Sequence, residues 1–169
     1  MKLFFALILS VLTVVSAINP AFSFESQELS RYGRWTVSVD IRDDGALICK
    51  AKTVNGADTF MLTVNHLSNY QLLGVVEEGY VNETRTTFRI RMGDTIWTVN
   101  DSATKNTEWG VFWKSSMGEV DGYRFRKDMM KESVLWLDTD GLNIPFSLDG
   151  SSKAIQDLEH CRRMIVQGR

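Results

Sequence analysis

From Trp35 to Lys114 the chain is a succession of short runs in which apolar and polar side chains alternate, broken by turn residues about every ten positions. Trp35, Val37, Val39 and Ile41 alternate with Thr36, Ser38 and Asp40. Asp43-Asp44-Gly45 supplies a turn, and the run from Ala46 to Thr53 follows with Cys49 in phase with Leu47 and Ala51. Asn55-Gly56 marks the next reversal, after which Phe60, Leu62 and Val64 alternate with Met61 and Thr63. Thr86 to Met92, Thr95 to Asn100 and Trp109 to Lys114 continue the pattern, the first two joined by Gly93-Asp94. A period of two puts successive side chains on opposite faces, so each run buries one face and wets the other. About seven such strands predict an antiparallel β-sandwich or barrel. The residues from Phe24 to Gly33 read as an irregular lead-in, Leu67 to Val76 has no clean period, and Asp101 to Thr107 reads as a polar loop.

The last third changes period. Val120 to Lys131 carries helix formers without β alternation and predicts a short helix. Val134 to Leu137, the turn Asp138-Thr139-Asp140-Gly141, and Leu142 to Leu148 predict a hairpin. Ser151 is placed to cap a C-terminal helix from Ser152 to about Ile165, packed on the sheet. Ile155, Leu158, Cys161 and Ile165 recur on it at spacings of three and four, which is one face. The fold class is therefore mainly β, with α+β character at the C-terminus.

The first segment has a different composition. Lys2 is its only charge, Leu3 to Val15 is almost wholly apolar, and Ala21-Phe22-Ser23 offers small residues for cleavage before Phe24, with Val15-Ser16-Ala17 as the competing site. This is the pattern of a secretory signal peptide over residues 1–23, leaving 24–169 as a single β-rich domain. The apolar run is shorter than a spanning helix needs, and no transmembrane segment is expected after the signal is removed. The expected location is periplasmic or secreted. Export exposes Cys49 and Cys161 to an oxidising compartment, where a thiol pair ordinarily forms a disulfide. Cys49 lies on the apolar phase of a strand and Cys161 on the apolar face of the last helix, so a helix laid across the sheet brings both sulfurs to one interior. Two buried free thiols are the alternative.

Composition narrows the function by exclusion. A net charge of -2, with 24% of residues charged, excludes a strongly basic nucleic-acid binder, and no nucleic-acid partner is expected. Two cysteines cannot build a zinc cage, and two histidines, His66 and His160, have no metal-ligand spacing; surface or loop imidazoles account for both. Asp43-Asp44 and Glu77-Glu78 are adjacent on the chain and would point to opposite faces of a strand. Asp138, Asp140 and Asn143 have the oxygens of a calcium loop without its closing Glu, and a turn explains them more simply. No nucleophile elbow, phosphate loop or C-x-x-C is present, so no cofactor, metal or catalytic set is assigned. Met92, Met117, Met129 and Met130 read as core filler rather than copper ligands. Two features suggest a binding surface. Trp109 and Trp113 share one strand face, which is a platform if wet and core if dry. Arg124, Arg126, Arg162 and Arg163, with Lys127, form a basic set on the two helices.

The early Trp35-Thr36-Val37 strand with a Cys in the next strand, and the C-terminal series ending in Phe146-Ser147-Leu148-Asp149-Gly150-Ser151 before a helix with Ala154 and Leu158, resemble the invasion-associated locus B family. That family comprises small exported β-rich proteins of alphaproteobacteria linked to host-cell invasion. The resemblance covers the first two strands and about the last forty residues, and it departs where the family carries an additional cysteine, near Asp40 and Ile41 here. It implies a host-interaction or virulence role and transfers no catalytic residues. The expected function is an exported, non-enzymatic envelope protein that binds or supports another macromolecule, its partner a protein or envelope component. The alternatives are an inhibitor of a secreted hydrolase such as lysozyme, inserting Asp101–Thr107 or Ser115–Asp121 as a loop, and an uncharacterised hydrolase built around His66.

Overall fold

In the computed structural model, which describes residues 25–65, 70–76, 86–107, 110–139 and 142–167, the alternating runs become antiparallel strands. In chain order these are β1 (Glu25–Tyr32), β2 (Trp35–Ile41), β3 (Leu47–Asn55), β4 (Asp58–Asn65), β5 (Tyr70–Val76), β6 (Thr86–Met92), β7 (Thr95–Thr107) and β8 (Gly110–Met117). Helix α1 (Glu119–Lys131), β9 (Val134–Thr139), β10 (Leu142–Ser147) and helix α2 (Ser151–Gln167) follow. The strands run β1-β2-β3-β4-β5-β8-β7-β6-β9-β10, an open order that does not close into a barrel. Strand β7 belongs to two sheets. Its first part, Thr95 to Ser102, pairs with β6, and Ala103 to Thr107 pairs with β8.

Period-two burial shows in β4, where Phe60, Leu62 and Val64 are buried and Met61 is half-buried, although Thr63 is buried as well. The same alternation in β6 buries Phe88, Ile90 and Met92 and exposes Arg89 and Arg91. The two sheets and the helices meet at an aromatic centre. Phe60 of β4 lies 5.8 Å from Phe146 of β10, 6.5 Å from Phe125 of α1 and 6.4 Å, edge to face, from Trp35 of β2. The Trp35 indole N–H donates to the Ser147 carbonyl at 2.9 Å, so the largest core side chain also meets its polar requirement across the sheets.

Helix α2 lies across β1 to β4. Ala154, Ile155, Leu158 and Cys161 form its buried face, and Ile165 packs against the core from its last turns. Cys161 and Cys49 are both buried and form a disulfide, their α-carbons 6.1 Å apart and 112 positions apart in sequence. The bond ties the last helix to the second strand of the β2–β3 pair.

Four expectations change. The lead-in before Gly33 is the edge strand β1. It lacks apolar alternation because it is held by its ladder to β2 and by the Ser30 and Tyr32 hydroxyls, which donate to Asp157 of α2 at 2.5 and 2.7 Å. These two hydrogen bonds hold the Asp157 carboxyl below its usual pKa. The segment without clear period contains β5, and the polar loop 101–107 is strand. Backbone pairing to β8 makes this polar stretch a strand without any apolar alternation. Ser151 is the first residue of α2, and its hydroxyl donates to the Met129 carbonyl at 2.6 Å, serving the end of α1.

The β10–α2 turn closes against the β1–β2 turn. Gly150 has φ +88, and a Cβ there would fall 2.3 Å from the Tyr32 carbonyl oxygen. Gly150→Ala is expected to lose about 1–2 kcal/mol from backbone conformation alone, with the clash adding to it. Urea unfolding of the variant tests this; an unchanged midpoint would show that the turn relaxes freely.

Candidate functional site

Helices α1 and α2 run antiparallel, because the start of one is bound to the end of the other. Ser151 donates to the Met129 carbonyl, and Ser152 donates to the Met130 carbonyl at 2.9 Å. Further along, Arg126 of α1 faces Glu159 of α2 with Nε 3.0 Å from Oε1. Phe125 and Met129 point α1 into the core, and Gly122 allows it to lie close to β5. A Cβ at Gly122 would meet both Tyr70 Cδ2 and Arg126 Nη1 at 3.3 Å.

The floor between the helices is an ionic cluster centred on Glu159. Its carboxylate accepts a hydrogen bond from the Tyr70 hydroxyl, pairs with Arg126, and accepts from Arg162 Nε at 2.9 Å. The Arg126 guanidinium sits 3.8 Å above the centre of the Tyr70 ring, a cation–π contact that covers a charge only 8% exposed. Its Nη1 has no hydrogen-bond acceptor, so the ring face and Glu159 carry the compensation. Burial, then the Glu159 carboxylate, push the Tyr70 phenol far above its usual pKa and keep it a neutral donor. Glu159→Gln keeps the shape but removes the charge that Arg126 faces. It is expected to cost about 2–3 kcal/mol, read from urea midpoints, and Glu159→Asp should recover little because the shorter side chain withdraws from Arg126.

Above this floor is a cleft of about 770 Å³, within the size range of ligand sites. Val120, Tyr123 and Met130 form its α1 wall and are 65%, 61% and 38% exposed. Ile155, Gln156 and Arg163 line the α2 side. Counting 100° per residue, Val120, Tyr123 and Met130 fall within about 80° of arc on α1. That outward apolar stripe is separate from the inward one of Phe125 and Met129.

The expected basic set divides accordingly. Arg126 is buried in the ion pair and is not a surface charge, while Arg162 is held against Glu159. Arg124, Lys127 and Arg163 are exposed, and none forms an ion pair among the described residues. Trp109 lies outside the described residues. Position 113 is mid-strand in β8, paired with Gly74 of β5 and Thr104 of β7. His66, Glu77, Glu78 and Asp140 also lie outside the described residues, and His160 is an exposed position on α2. Among the described residues, no three His, Cys, Asp or Glu side chains gather as metal ligands.

Sequence reasoning passed over Tyr70, Tyr123 and Glu159. Tyr70 opens a strand without clear period, so its burial had no signal. The spacing of Val120, Tyr123 and Met130 was a usable sign, since three and seven residues come close to one and two turns of a helix. Glu159, three residues before Arg162, carried the other.

No family profile matches the chain, and no curated protein matches it in sequence. The structure is similar to the crystal structure of invasion associated protein B from Bartonella henselae, with a TM-score of 0.62 and 15% identity. The match covers 80% of this chain and 97% of that one. The two chains share a fold, as the strand and C-terminal motifs implied. No helix among the described residues is long and apolar enough to cross a membrane.

Proposed function

We propose that the chain is an exported, non-catalytic envelope protein that holds a partner polypeptide on the face formed by α1 and α2. The observation that carries this reading is the exposed stripe of Val120, Tyr123 and Met130 beside an ionic floor whose members bind one another. An exposed apolar stripe beside a cleft suits a protein contact. The floor offers little to catalysis, because Tyr70, Arg126 and Glu159 are engaged together and Tyr70 is held as a neutral donor. The buried disulfide supports export, and the fold shared with an invasion associated protein supports a host-interaction role. The hydrolase-inhibitor alternative has less support, because Asp101–Thr107 lies in β7 and Ser115–Asp121 spans the end of β8 and the start of α1, so neither projects as a free loop.

A photo-reactive residue at position 123, in the full chain expressed in its own cell, tests the reading. One discrete adduct is expected at 123, none at position 96, which is exposed and outside the lining of the cleft, and loss of the adduct in a Val120→Glu background. Absence of an adduct at 123, or equal labelling at 96, overturns the assignment. Inhibition of muramidases on titration would favour the inhibitor instead.

A further inference from the structure

The charges around the cleft identify the chemistry of the partner. Three acids of the two helices are engaged by neighbouring donors. The Asp128 carboxylate accepts from the Trp97 indole at 3.0 Å, Asp157 from Ser30 and Tyr32, and Glu159 from Tyr70 and Arg162. Asp121 is exposed, but it lines a separate small cleft with Ser115 and Met117 on the β8 side. The exposed cations are left on the outer surface. Arg124 and Lys127 are exposed on α1 outside the lining of the cleft, Arg124 about 40° beyond Val120 and Lys127 between Val120 and Tyr123 by helical angle, and Arg163 lines the cleft from α2. A protein with a net charge of -2 therefore carries exposed cations on both helices beside an apolar stripe. Helix α1 is about 20 Å long, and two antiparallel helices leave a groove into which a third can pack.

We infer that the cleft binds an acidic amphipathic helix of a partner polypeptide, its apolar residues on Val120, Tyr123 and Met130 and its carboxylates facing the exposed cations Arg124 and Lys127 of α1 and Arg163 of α2. The inference rests on the reading of this face as a protein contact and adds the partner's chemistry. The mode is that of a helix in a groove, where apolar anchors at spacings of three and four give affinity and rim charges select the sequence. Tyr123, the most exposed aromatic on the face, is the anchor, and Arg163 is a selecting charge.

A displayed library of random peptides, panned on the immobilised full-length mature chain, tests this. Enriched peptides should carry Asp or Glu beside apolar residues spaced at three and four. Their synthetic versions should become helical on binding and weaken as salt is raised. Binding should fall about thirty-fold in Tyr123→Glu and about threefold in Arg163→Glu, while Ile96→Glu, at an exposed residue outside the lining of the cleft, binds as the parent does. Neutral or basic peptides, no enrichment, or undiminished binding to Tyr123→Glu would each overturn the inference. So would capture of phosphatidylglycerol vesicles, or a concentration-dependent dimer, in place of peptide and sensitive to Tyr123→Glu. The two readings fail separately. A cross-link at position 123 to a segment that is neither acidic nor helical removes the acidic helix and leaves the partner, whereas no cross-link removes both.

Discussion

Replacing Cys49 and Cys161 together with alanine is expected to cost about 4–5 kcal/mol, the chain-entropy value for a closed loop of roughly a hundred residues. The bond spans 112 positions and joins β3 to α2, so without it the unfolded chain regains nearly all the freedom that the cross-link removes. For a domain of this size the melting temperature should fall by about 10–20 °C. Both cysteines are buried, Cys49 completely, so a reductant reaches the bond only when α2 lifts from the sheet. Reduction of the folded protein should accordingly be slow and should accelerate with denaturant. Urea melts of the double variant, and alkylation of the parent with and without reductant, check both statements. A midpoint unchanged by the double substitution would mean that packing of Leu158 and Ile155 alone secures the helix.

Phe60→Ala is expected to be nearly as damaging, at about 3–5 kcal/mol. Phe60 has no exposed surface, and its ring touches elements from both sheets and from α1 through Phe146, Trp35 and Phe125. Truncation leaves a cavity where three layers converge, and no one neighbour can fill it without leaving the others. Phe60→Leu should lose less than half as much, since most of the volume remains. Equilibrium unfolding gives the values. Near-UV circular dichroism should show that the environment of Trp35 and Trp97 loosens in the alanine variant, because Trp97 stacks edge-on at 5.4 Å against Phe125, the next ring.

These two predictions draw on different degrees of legibility. Phe60 was readable as core from its phase with Leu62 and Val64, and Cys161 from its spacing after Leu158. The ring neighbours of Phe60 were not readable, because Trp35, Phe125 and Phe146 come from distant parts of the chain. The candidate site was less legible than the core. Arg126 reads as one more surface cation beside Arg124, and only the approach of α1 to Tyr70 shows that it is buried. Two residues apart on a helix, Arg124 and Arg126 point about 160° apart, and which one meets the protein depends on where the helix docks.

Sequence alone determined the features that depend on neighbours along the chain. These are the alternating strands, the switch to helical spacing after Val120, the glycine turns at Gly45, Gly56 and Gly93, and the two cysteines on apolar faces. Each follows from local stereochemistry and from which side of a strand or helix is apolar. Tertiary structure decided what depends on distant partners. It made a strand of polar β1 through backbone pairing, carried β7 from one sheet into the other, and gave Ser151 to the end of α1. It also turned Asp128, Asp157 and Glu159 inward while leaving Arg124, Lys127 and Arg163 outward. Backbone hydrogen bonds and buried charges are satisfied by whatever the fold brings near, and a linear pattern of apolar and polar residues carries no record of those partners.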